Sequence, residues 1–265
     1  YNTMAKSEVN CKVALVTGAS KRIGNGIARK FHEEGYNIVL HYNMSSKDAL
    51  FLAEELNKKR ENSCFPIQFD LGNFHEYENF KDQLGDDWKK INVLINNAST
   101  FYPTNFIDSN EDNWDDLINI NLKCPFFLSQ LFYKELKDNN GSIINIVDIH
   151  SLKPLKDFPI YSIAKSGLNM LTRSLAIELG PEIRVNGVSP GPILWPEVKE
   201  YENTHQEIID STALKRQGDV SDIANLCFYL QSKGVYITGQ VINVDGGRSL
   251  GCLLYTSPSP RDDGV

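Results

Sequence analysis

A phenol and an ammonium stand four positions apart at Tyr161 and Lys165. Residues at that spacing share a helix face, so the two groups point the same way. An opposite charge a few ångströms away favours the ionised form of a titratable group. Lys165 is therefore expected to favour the Tyr161 phenolate and to let it act as acid or base below its ordinary pKa of about 10. Upstream, the apolar run 142–147 reads as a strand that delivers Asp148 to its carboxyl end, and a proline-broken loop leads from there to the Tyr161 helix. Asp148 is a candidate to hold Tyr161 and to exchange a proton with a substrate; the plainer alternative is a loop cap. Further back, Asn121 precedes Pro125 in a helical stretch around 114–133, where its side chain is expected to bend the helix and hold a water.

These groups need a partner site, and the first sixty residues supply one. The β-branched run 12–17 opens into Gly18-Ala19-Ser20-Lys21-Arg22-Ile23-Gly24-Asn25-Gly26, after which Ile27, Ala28 and Phe31 continue at helical spacing. A glycine turn between strand and helix gathers backbone N–H groups and the positive end of a helix dipole, which suits a pyrophosphate. A second strand, 36–42, completes a βαβ nucleotide unit. That strand ends in His41-Tyr42-Asn43-Met44-Ser45-Ser46, with no carboxylate to bond a ribose 2'-hydroxyl. Ser45, Ser46 and the next helix start can donate to a 2'-phosphate, with Lys21 and His41 lending positive charge, so NADP is expected over NAD. Alternatively, Ser45 and Ser46 only cap the helix that runs to Arg60.

Later strands end in the same kind of residue. The run 64–69 stops at Asp70-Leu71, a position suited to adenine, and 92–95 stops at Asn96-Asn97-Ala98-Ser99, where small and amide groups let backbone lie against a flat ligand or simply turn. Phe101 follows on a loop, able to stack a planar substrate or to fill core. A sixth strand, 182–188, ends in Ser189-Pro190-Gly191-Pro192, and residues 193–214 are patterned as a mobile substrate lid. A helix over 220–230 and a strand over 240–244, closed by Asp245-Gly246-Gly247, complete the chain. Strand and helix alternate throughout, so the expected fold is α/β: one Rossmann-type domain over residues 11–252, with a doubly wound parallel sheet of about seven strands and helices on both faces. Ligands of such sheets lie beyond the carboxyl ends of the strands, where Gly18, Asn97, Asp148 and Pro190 all fall.

The 265 residues can bury a full core without disulfides or metal. A formal charge of −7 and no basic stripe argue against nucleic acid and anionic membrane as partners. Cys11, Cys64, Cys124, Cys227 and Cys252 are scattered without metal-ligand spacing and read as reduced thiols, so no metal is expected. No apolar run reaches the roughly 20 residues of a membrane span, and a cytoplasmic location is expected. Residues 1–10 read as a flexible extension, with Met4 a plausible start, and 253–265 as a disordered or non-native tail.

With these motifs in this order, residues 12–250 resemble the short-chain dehydrogenase/reductase family. Two departures from its common pattern are similar to the pteridine reductases: Arg22 in place of the second turn glycine, and Asp148 in place of a serine thirteen residues before the tyrosine. The strings at 17–24, 96–103, 191–197 and 244–250 share that likeness. Some pteridine reductases carry an arginine where this chain has Met44. The resemblance implies a homotetramer and an NADPH cofactor held by Gly18, Lys21, Arg22, Ile23, Gly24, His41, Tyr42, Asn43, Ser45, Asp70, Leu71, Asn97, Ala98, Ser99, Tyr161, Lys165, Pro190 and Gly191. It implies a proton relay through Tyr161, Lys165 and a water on Asn121, with Asp148 catalytic beside them. It also implies a pterin or folate bound by Arg22, Ser99, Phe101, Asp148, Tyr161 and Leu194, with Phe101 sandwiching the ring against the nicotinamide. Two other readings stand beside it: reduction of a carbonyl such as a 3-oxoacyl thioester, and a non-catalytic NADP-binding sensor or scaffold.

Overall fold

Seven short apolar runs form the strands of a single sheet: β1 (Val13–Val16), β2 (Asn37–Tyr42), β3 (Cys64–Gln68), β4 (Ile91–Asn96), β5 (Ser142–Ile146), β6 (Arg184–Pro190) and β7 (Val241–Val244). The computed structural model describes residues 11–194 and 202–250; the expected extension 1–10, the tail 253–265 and lid residues 195–201 lie outside them. All neighbouring strands are parallel, in the order β3-β2-β1-β4-β5-β6-β7. The chain thus winds outward from β1 to β3, returns to the middle at β4, and winds out the other way.

Side chains alternate across a strand, and a parallel sheet must bury both of its faces. In β1, Ala14 and Val16 enter one core while Val13 and Leu15 enter the other. The first core is roofed by α1 (Arg22–Glu33), α2 (Ser46–Lys59) and α10 (Val220–Ser232), through Ile27, Phe31, Leu52, Leu56, Ile223 and Leu230. The second is covered through Phe80 of α3 (Tyr77–Asp82), Leu128 of α6 (Cys124–Leu131), Leu136 of α7 (Tyr133–Asp138) and Ala176 of α8 (Pro159–Glu178). Each such leucine or phenylalanine, buried in full, contributes about 1.5–3 kcal/mol. The remaining helices are α4 (Gly85–Trp88), α5 (Glu111–Ile118) and α9 (Glu202–Asp210). No described helix is long and apolar enough to cross a membrane.

Two elements depart from the periodicity. The stretch 114–133 is not one helix: α5 passes into a wide π-type turn, Asn119–Lys123, before α6. Pro125 lacks an N–H, and its ring crowds the carbonyl four residues back, that of Asn121, so the turn opens there. β6 begins and ends two residues later than expected, because Val147 donates to Val188 O, and Gly191 donates to Val244 O, which carries the ladder on to Pro190. Strand register then sets the working edge. Asn96 faces Asn145, Ile146 faces Val188, and Pro190 faces Val244. The segments after β1, β4, β5, β6 and β7 accordingly emerge together.

Candidate active site

The glycine turn is built by close backbone approach. Thr17 Oγ1 accepts from the N–H groups of Asn97 (2.9 Å) and Ala98 (3.0 Å), and Asn97 Nδ2 donates to Thr17 O (2.8 Å) and Gly18 O (3.1 Å). Gly18 has φ +61°, and a Cβ on it would come 3.0 Å from Ala98 Cα. A Cβ on Gly24 would come 2.3 Å from Gly18 O. This glycine-lined cradle at the start of α1 fits a dinucleotide pyrophosphate. Gly24→Ala is expected to destabilise the fold by about 3 kcal/mol and to abolish dinucleotide binding. A denaturation midpoint and a cofactor titration check it, and an unchanged pair of values would contradict this packing.

Arg22 occupies the left-handed region at φ 54°, which explains why a glycine is usual there, and its guanidinium donates to Leu194 O at 3.3 Å. Leu194 and Ile23 pack partly buried against the core under α1. Around β2's end, Tyr42 is buried, Asn43 is exposed, and Ser45 precedes α2 without a side-chain capping bond. The hydroxyl-cap alternative for Ser45 is therefore not realised. Asp70 is exposed and accepts from Gly72 N–H (2.9 Å), while Leu71 beside it is buried.

His41 differs from its expected part. It is 1% exposed, its Nδ1 accepts from Gly18 N–H at 3.2 Å, and its Nε2 lies 2.9 Å from Phe69 O, to which it donates. Burial pushes its pKa down to about 4, so it is a neutral brace of the glycine turn and lends no charge to a phosphate. The unfolded imidazole takes a proton near pH 6.5 and the folded one near 4. Stability thus falls as pH drops through that window, by about 3 kcal/mol from this group. Urea midpoints at pH 7 and pH 4.5 check this, with a shallower pH dependence expected in His41→Asn.

The reacting groups meet beyond β5. Asp148 precedes a short 3-10 turn, Ile149–Ser151; its Oδ1 accepts from His150 N–H (2.8 Å) and its Oδ2 from the Tyr161 hydroxyl (2.8 Å). Asp148 thus does cap its loop, but with one oxygen only. Tyr161 is 4% exposed, and burial, the Asp148 charge and the Asp148 hydrogen bond all hold its pKa well above the ordinary value. The expected phenolate is overturned: a phenol that donates to a carboxylate in a dry site stays protonated. Lys165 Nζ lies 5.7 Å from the Tyr161 ring centroid and donates to Ile146 O at 3.0 Å. Burial, opposed by the Asp148 charge, lowers its pKa to about 8.

Phe101 is 49% exposed, stacks on Phe158 (4.6 Å, 11°) and meets Tyr161 edge-on (4.8 Å, 74°). Ser99 Oγ donates to Asn121 Oδ1 (2.6 Å), and Asn121 Nδ2 donates to Leu117 O (2.9 Å) and Thr100 O (3.0 Å). The Asn121 amide, expected to hold a water, is instead engaged by protein groups and ties the π-type turn to the loop bearing Phe101. Pro190 and Gly191 lie on the same edge, with Gly191 so close to Asp245 that a Cβ would come 2.6 Å from its Cα.

Two features escaped the sequence reading. A buried chain runs from Asn96 Nδ2 to Asn145 Oδ1 (2.8 Å) and from Asn145 Nδ2 to Thr172 Oγ1 (2.9 Å), joining β4 and β5 to α8 two turns beyond Lys165. Arg248 is the other. Asp245 accepts from the N–H groups of Gly247 (2.9 Å) and Ser249 (2.8 Å), and the turn so fixed carries a half-buried guanidinium within electrostatic reach of Asp148. The string 244–250 was its one visible signal.

A doubly wound parallel sheet with a dinucleotide turn, and a carboxylate, phenol and lysine at one edge, defines an oxidoreductase, and the chain belongs to the short-chain dehydrogenase/reductase family. Residues 18–249 match the family model described as Enoyl-(Acyl carrier protein) reductase. Pteridine reductase 1 of Leishmania tarentolae is 36% identical, covering 90% of this chain and 96% of that protein. A 3-oxoacyl-(acyl-carrier-protein) reductase of Staphylococcus epidermidis is 35% identical, covering 89% and 98%. An uncharacterized oxidoreductase of Escherichia coli is 31% identical, covering 89% and 95%.

Proposed function

We propose that the protein is an NADPH-dependent pteridine reductase that reduces a C=N bond of a pterin or folate. The observation that carries this reading is the 2.8 Å bond from the Tyr161 hydroxyl to Asp148 Oδ2. Carbonyl reduction asks for a donor to an oxygen gaining charge, which a serine hydroxyl provides and a carboxylate does not. Hydride addition to a ring C=N carbon asks instead for a proton at the adjacent nitrogen and an acceptor for the ring's N–H and amino groups. Tyr161 supplies the proton and Asp148 the acceptor. The bound nicotinamide supplies the hydride. Lys165 keeps a positive charge beneath the phenol below about pH 8, and Arg22 faces the substrate's polar edge. Phe101, half exposed beside Tyr161, offers a plate for a flat ring.

The carbonyl-reducing reading keeps one support, the similarity to the Staphylococcus epidermidis enzyme over 89% of the chain. NADPH consumption with dihydrobiopterin and with an acetoacetyl thioester separates the two. A homotetramer remains part of the proposal. Ile163, Met170 and Ile177 recur every seven residues along α8 and are 49%, 60% and 81% exposed, an apolar stripe that suits a second copy of this helix. Light scattering is expected to give four chain masses; one chain mass would remove this element. A cytoplasmic setting accords with the free, buried thiols of Cys64, Cys124 and Cys227.

A further inference from the structure

One ion pair at the end of β2 runs against easy binding of a 2'-phosphate. Lys21 Nζ lies 3.1 Å from Asp48 Oδ2, with the side chains 55% and 48% exposed. Lys21 immediately precedes α1, and Asp48 stands in the first turn of α2. Those helices follow β1 and β2, which are neighbours in the sheet, so the pair spans the groove into which an adenosine ribose would project. Of the two cations assigned to the 2'-phosphate, His41 is buried and neutral, which leaves Lys21. Met44, 90% exposed at the same place, adds no charge.

We propose that Asp48 is a cofactor-specificity residue: it competes with the 2'-phosphate for Lys21 and so reduces the preference for NADPH over NADH. This rests on the reading of Lys21 as the phosphate's cation. A phosphate monoester brings roughly −1.5 to −2 charges, which the Asp48 carboxylate repels while sharing the same ammonium. A ribose 2'-hydroxyl suffers no such repulsion and can donate to a carboxylate placed there. An exposed pair is worth about 0–1 kcal/mol, so the phosphate can displace Asp48 from Lys21, and the effect on affinity is graded.

Binding titrations of NADPH and NADH, followed by nicotinamide fluorescence, test this without a substrate. Asp48→Asn is expected to tighten NADPH about threefold to fivefold and to leave NADH unchanged or slightly weaker, an effect of the size an exposed charge pair supports. The gain is expected to shrink in about 1 M salt, where the screening length is about 3 Å. It is also expected to shrink in a Lys21→Gln background, where the competition for the ammonium is gone and only direct repulsion between Asp48 and the phosphate remains. Asp48→Asn that leaves the NADPH-to-NADH affinity ratio unchanged, or that shifts it equally with and without Lys21, overturns the proposal. A thermal melt of each variant separates a weakened α2 from a changed site, since loss of packing weakens both cofactors together. Should the unmodified protein prefer NADH, the NADPH reading fails, while the shift in ratio on Asp48→Asn still decides the role of Asp48.

Discussion

Tyr161→Phe is expected to lower pterin turnover by about 10³-fold, in the range a lost proton donor costs, while NADPH binding changes by less than about twofold. The phenyl ring keeps its edge contact with Phe101 and its place above Lys165, so packing is preserved. What disappears is the hydroxyl that donates to Asp148 Oδ2. Because Tyr161 is held protonated well above its ordinary pKa, its own ionisation does not shape the profile near neutrality. The alkaline fall in kcat/KM is expected near pH 8 instead, where Lys165 loses its proton and its charge beneath the phenol. Full turnover in the phenylalanine variant would contradict the assignment of Tyr161 as the proton donor.

Asp148→Asn is the second large effect, with pterin turnover expected to drop about 100-fold. The amide is isosteric and its oxygen can still accept from His150 N–H, so the loop should hold. It removes the negative charge and replaces one acceptor by a donor, which faces the substrate N–H groups with the wrong polarity. Two of the three influences that raise the Tyr161 pKa come from Asp148. The phenol should then ionise at lower pH than in the unmodified protein, though burial still holds it up. Difference absorbance of tyrosinate against pH reads that change, and an unaltered titration would mean that the Asp148–Tyr161 bond is not made in solution.

Spacing made the chemistry legible, while charge state was hidden. Tyr161 and Lys165 are four apart, so their common face followed from helical geometry alone. The alternation of strands with glycine-bearing turns placed Gly18, Asn97, Asp148 and Pro190 on one edge, where they stand. The phenolate prediction failed because it counted Lys165 and omitted Asp148 and burial, both tertiary facts. His41 failed for the same reason: a histidine at a strand end reads as a surface cation until the strand is seen to be interior to the sheet, between β1 and β3. The π-type turn at Asn121 had a visible cause in Pro125, but its partners Ser99 and Thr100 lie about twenty residues upstream. Nothing local announces Lys21 with Asp48, or Arg248 with Asp148, since each pair is joined by the sheet order.

Initial rates of NADPH oxidation by the purified protein, with dihydrobiopterin, dihydrofolate and an acetoacetyl thioester in parallel, test pteridine reduction most directly. Turnover with at least one of the two pterins, dependent on Tyr161 and absent with the thioester, is the expected result. Turnover with the thioester and none with either pterin would contradict it.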